Sequence, residues 1–122
     1  MPEFASAFSG LAAPRKLGLS ELVRAVRFMI AAEYEAIQLY EQLAESTDNH
    51  LARKVLADIA DEEKEHVGEF RRLLSILAPQ DEPLYTLGMQ ETDDNAEMVH
   101  KRFGVRQGDS PCADGACCAQ PV

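Results

Sequence analysis

Two stretches of this chain repeat apolar residues at alternating spacings of four and three, and each repeat is broken at its middle by ionisable side chains. The first reads Leu22, Val26, Met29, Glu33, Ala36, Tyr40, Leu43. The second reads Ala52, Leu56, Ile59, Glu63, His66, Phe70, Leu73, Leu77. That alternation places each set on one face of a helix. No Gly or Pro interrupts residues 20–45, and only Gly68 interrupts the second stretch before Pro79. Ser20 is the expected N-cap of the first helix, with Glu21 in its first turn. Ser46-Thr47-Asp48-Asn49 is a turn rich in capping residues, and so short a link makes the two helices antiparallel.

The rest of the chain has a different character. Residues 1–18 contain Gly10, Pro14 and Gly18 without a sustained period and read as a flexible arm. The hairpin occupies residues 19–79. In residues 80–103, Asp81, Glu82 and Pro83 begin a linker. Leu84, Tyr85, Leu87 and Met89 are expected to pack back on the hairpin, and residues 95–103 to form a short third helix. Residues 104–122 read as a disordered tail that holds all three cysteines, Cys112, Cys117 and Cys118. The expected fold class is all-α: a two-helix protomer, plus a short third helix, that dimerises into a four-helix bundle. An aromatic content of 7% with no Trp suits helices packed on aliphatic residues.

The net charge of −9 argues against nucleic acid as a partner. No stretch approaches the ~20 apolar residues of a membrane span. The N-terminus lacks the basic start and apolar block of a secretory signal. An odd cysteine count outside the core is not a disulfide framework, so the expected home is the cytoplasm.

Burying an unpaired carboxylate costs several kcal/mol, roughly more than a buried Leu returns. A sequence that places Glu33 on one apolar stripe, and Glu63 and His66 on the other, must therefore supply a counter-charge. A metal ion does so. Glu63-Lys64-Glu65-His66 is a Glu-x-x-His pattern, whose first and fourth side chains leave one helix face together. Carboxylate oxygen with imidazole nitrogen suits iron or manganese, and also admits zinc. Di-iron carboxylate bundles take one Glu from each of two helices and Glu-x-x-His from each of the other two. This chain has one helix of each kind, and therefore half a site. Two chains related by a two-fold axis would complete it, two metals sharing Glu33, Glu63 and His66 from both. Tyr40, two turns beyond Glu33, is placed to hydrogen-bond a ligating carboxylate and hold its orientation. A Glu33–His66 ion pair within a purely structural dimer is the alternative, and it leaves Glu63 without a partner.

Residues 31–42 (Ala-Ala-Glu-Tyr-Glu-Ala-Ile-Gln-Leu-Tyr-Glu-Gln) followed by residues 61–70 (Asp-Glu-Glu-Lys-Glu-His-Val-Gly-Glu-Phe) resemble the encapsulated ferritins, half-length members of the ferritin-like and rubrerythrin-like group. The resemblance covers roughly residues 19–80. It implies a protomer that dimerises to build a ferroxidase centre with two irons per pair of subunits, the dimers arranged in a ring such as a decamer. It also implies oxidation of Fe(II) by dioxygen for iron storage or detoxification, inside an encapsulin shell. On this mapping Glu33, Glu63 and His66 take the ligand positions and Tyr40 the neighbouring aromatic position. Glu35 approximates a secondary metal position, although its acidic companion is Ala32 here. The cysteine-containing tail does not resemble the Gly/Leu-rich peptide with which such proteins dock in a shell. A rubrerythrin-like peroxide-scavenging protein and a non-catalytic metal-binding dimer are the alternative functions.

Overall fold

The computed structural model describes residues 10–104. The N-terminal half of the expected arm and nearly all of the expected tail, including the three cysteines, lie outside the described residues. Three helices follow in order: α1 Leu19–Glu45, α2 His50–Leu77 and, after a single 3-10 turn at Pro79–Asp81, α3 Glu82–Phe103. The fold class is all-α, with no strand among the described residues. None of the helices is long and apolar enough to cross a membrane.

The chain divides into two units near Gln80. In the first, α1 and α2 form the antiparallel hairpin. Helix α1 begins one residue before the expected Ser20 cap, because Glu21 reaches back to Gly18: its Oε2 accepts from the Gly18 N–H at 2.8 Å. Arg15 grips the same carboxylate through two bonds of 2.8 and 2.6 Å, which ties the last residues of the arm to the helix. At the other end the Ser46 hydroxyl donates to the Gln42 carbonyl at 2.6 Å. Asn49 then caps α2, its Oδ1 accepting from the Ala52 N–H at 2.9 Å.

The buried seam is rotated from the expected one. Val23, Val26 and Ile37 of α1 meet Ala60, Val67 and Leu74 of α2, while Leu22, Met29, Leu43 and Leu73 remain 40–55% exposed. The expected stripe was therefore the border between two faces. One, Val23–Val26–Ile30–Glu33–Ile37–Tyr40–Ala44, lies against α2. The other, Leu22–Ala25–Met29–Ala32–Ala36–Leu39–Leu43, has the same four-three spacing, and its large members Leu22, Met29, Leu39 and Leu43 are exposed among the described residues. A helix apolar over so wide an arc belongs in a bundle with more than one neighbour. The core agrees: no large side chain among the described residues is fully buried, a thin core for a domain of this size.

The second unit is α3. It starts at Glu82, not at residue 95, because Pro83 falls in its first turn, where the missing N–H costs nothing and the fixed φ favours a helix. Gly104 ends it in the left-handed region, at φ 68°, donating to the His100 carbonyl at 2.8 Å. Leu84, Tyr85, Leu87 and Met89 are not buried as expected; all are exposed.

Candidate metal centre

Glu33 and Glu63 occupy facing positions on the buried seam, between the Val23–Val26–Leu74–Ala78 cluster and the Ile37–Ala60 layer. Their side chains are 20% and 16% exposed, whereas His66, one turn beyond Glu63, is 50% exposed. One ligand atom from each of the three residues lies within 4.8 Å of the others. His66 Nδ1 is 2.9 Å from Glu63 Oε2 and 4.0 Å from Glu33 Oε2. The sequence-predicted trio is thus brought together from two helices, and its imidazole is the most exposed of the three.

The three groups shift one another's pKa values. The hydrogen bond that Glu33 makes to the Glu63 carboxylate raises the pKa of Glu33, helped by burial and by the repulsion between the two carboxylates. The same bond with Glu33, and then the bond with His66, holds Glu63 down. The Glu63 carboxylate raises His66. The chemistry of the set fits a hard or borderline cation: two carboxylates and an imidazole within reach of one another. Three donors leave the coordination of a metal ion incomplete.

The other expected residues fall outside the trio. Tyr40 is half-buried on the same seam, but among the described residues it makes no hydrogen bond to Glu33, Glu63 or His66. Glu35 lies on the opposite side of α1 from the seam. Lys64, exposed at the surface, bridges the helices, its Nζ lying 2.9 Å from Asp61 and 3.0 Å from Glu41 of α1. It does so one residue from Glu63. A lysine bordering the seam opposite a glutamate is the signal that would have found it.

Comparison with known proteins places these features in a family. The family described as Rubrerythrin matches residues 24–103. A stretch of 60 residues is 50% identical to a ferritin-like–encapsulin shell fusion protein of Pyrococcus furiosus, covering 49% of this chain and 17% of that protein. Another of 67 residues is 42% identical to the encapsulin nanocompartment cargo protein EncC of Myxococcus xanthus, covering 55% of this chain and 52% of that one. The matches thus span about half of the cargo protein and less than a fifth of the fusion protein. The crystal structure of the encapsulated ferritin domain from Pyrococcus furiosus superposes with a TM-score of 0.59 at 35% identity, over 84% of this chain and 98% of that one.

Proposed function

Because the chain belongs to the rubrerythrin family, with a ferritin-like fold, we propose that it is a ferroxidase subunit whose di-iron centre forms between two copies. The observation that carries the reading is the convergence of Glu33, Glu63 and His66 within 4.8 Å, on a hairpin whose Leu22, Met29, Leu39 and Leu43 are exposed among the described residues. A second copy on that face would bring a second trio to the first across a two-fold axis and cover Leu22, Met29, Leu39 and Leu43 at the same time. Iron is the metal that the family and the donor set both favour.

When bound, the pair of Fe(II) ions supplies the electrons that dioxygen accepts. The chain's own residues do the rest. Glu33 and Glu63 would hold the cation, and their charges would offset that of the iron. His66 would offer a ring nitrogen. The Val23–Val26 and Ile37–Ala60 layers on either side keep the carboxylates partly out of water, which strengthens their hold on a cation. Tyr40 and Glu35 are proposed in lesser roles, Tyr40 orienting a carboxylate once the dimer closes and Glu35 holding metal in transit. Both curated relatives carry encapsulin in their names, and on that ground the dimers are proposed to assemble further, into a ring such as a decamer, as cargo of an encapsulin compartment in the cytoplasm.

The test is addition of Fe(II) to the full chain under air, followed by near-ultraviolet absorbance. Wild-type protein should oxidise iron well above the buffer rate, and Glu33→Ala with His66→Ala should return to that rate. Wild-type protein no faster than buffer, or a variant as fast as wild type, would overturn the proposal.

A further inference from the structure

Helix α3 carries a seam of its own. Tyr85, Met89, Thr92, Ala96, Val99 and Phe103 follow one another at spacings of four, three, four, three and four, so they share one face along the length of the helix. None is buried: Tyr85 is 46% exposed, Met89 59%, Val99 48% and Phe103 66%. The remaining large apolar residues, Leu84, Leu87 and Met98, lie on a flank that Glu91 and Asp94 interrupt. The Thr92 hydroxyl donates to the Gly88 carbonyl at 3.2 Å, so it needs no partner from outside the helix.

The seam is also a palindrome in size. Read from either end it runs aromatic, aliphatic, small: Tyr85 or Phe103, then Met89 or Val99, then Thr92 or Ala96. Turning the helix end over end about its middle superposes each residue on its counterpart. Two antiparallel copies would therefore match in every layer, with small residues at the centre letting the backbones approach and aromatic pairs closing both ends.

We infer that α3 is a self-association face that pairs antiparallel with α3 of a second copy of this chain. Charge favours the same occupant in the same direction. Glu82, Glu91, Asp93, Asp94 and Glu97 make most of the helix acidic, while His100, Lys101 and Arg102 make its last turn basic. A parallel pair stacks acid on acid and aligns the two helix dipoles. An antiparallel pair opposes the dipoles and sets each basic last turn opposite residues 86–88 of the other helix, away from the acidic middle. Arg102 already sits over the Phe103 ring, 5.4 Å from its centroid, at the end of the seam. One element opposes the pairing: Asp93 borders the centre and faces its own copy.

This face is separate from the hairpin face in the proposed function and does not depend on metal. A chain with two different two-fold interfaces assembles by alternating them, which closes into a ring with an even number of chains if the angles allow.

Disulfide trapping tests the inference in the full chain, with Cys112, Cys117 and Cys118 replaced by serine and no iron added. Thr92→Cys and Ala96→Cys proteins are oxidised separately and as an equal mixture. The mixture should give a covalent dimer from roughly half the chains, the statistical share of mixed pairs, and each protein alone should stay at the background of the serine variant. Cross-linking of Thr92→Cys alone at the level of the mixture would mean a parallel pair. No cross-link in the mixture would mean that the face does not pair with itself. Either result overturns the inference. Asp93→Asn, read by sedimentation, should tighten the association about two- to fivefold by removing a like-charge contact; unchanged or weaker association counts against the antiparallel arrangement, because a parallel pair sets Asp93 beside Gly88.

Discussion

The hairpin and the third helix are written in the same four-three spacing, and the chain uses them in opposite ways. On α1 and α2 one stripe is buried within the chain and carries two carboxylates at its middle, while a second stripe stays bare. On α3 the single uninterrupted stripe carries no charge and none of it is buried. The difference shows what each element needs. The hairpin holds itself together around a thin core and, on the proposed function, completes its metal centre with a second copy. The third helix buries none of its stripe, and the inferred pairing would supply that cover.

That contrast can be broken by substitution. Leu74→Ala removes a side chain that is 9% exposed in the hairpin core and should cost about 2–5 kcal/mol of unfolding free energy. Val99→Ala on α3, compared in urea at a concentration where the chain is monomeric, should stay within about 0.5 kcal/mol. Equal losses would mean that α3 has a buried side within one chain.

Acid should separate the site from the rest of the hairpin. Glu33 and His66 both have raised pKa values, and a metal must displace their protons. Affinity for Fe(II) or a redox-inert surrogate should therefore fall as pH drops through those values, by up to about tenfold per pH unit for each proton displaced. The metal-free protein responds with the opposite sign. The stabilisation from protonated His66 is fully present below the ordinary imidazole pKa and lost as pH rises through its raised value. Anaerobic metal titrations at several pH values check the first statement, and the chemical shift of His66 without metal checks the second.

Smaller effects belong to the caps. Asn49→Ala should cost about 1 kcal/mol by leaving the Ala52 N–H without its acceptor. Arg15, followed by the Gly18 N–H, lowers the Glu21 pKa to about 2. The contribution of Glu21 is therefore present above the ordinary carboxylate range and lost as pH falls toward 2. Glu21→Gln should remove that dependence and speed amide exchange only in the first turn of α1.

The residues that repeat were legible in the sequence, and those that depend on company were not. Both long helices, their antiparallel link and the trio of Glu33, Glu63 and His66 follow from spacing and from the cost of burying charge. The buried seam was misplaced by part of a turn, because α1 carries two adjacent apolar stripes and periodicity alone cannot say which one meets α2. The expected start of α3 is too late because Asp81, Glu82 and Pro83 read as the beginning of a linker, although in a first turn a proline favours a helix. The tie from Lys64 to Glu41 was missed because its pairing crosses between helices at a position where charge is ordinarily solvated.

The central claim is that one chain holds half a centre. Replacing Leu22 and Leu43 with Asp, at the two ends of the bare stripe and away from the trio, should give a folded, helical monomer by sedimentation and circular dichroism. Aerobic Fe(II) oxidation should then be measured on that monomer against the wild-type chain. The account predicts that the monomer oxidises iron no faster than buffer while wild-type assemblies are active with one iron per chain. A monomer that oxidises iron at the wild-type rate would contradict it.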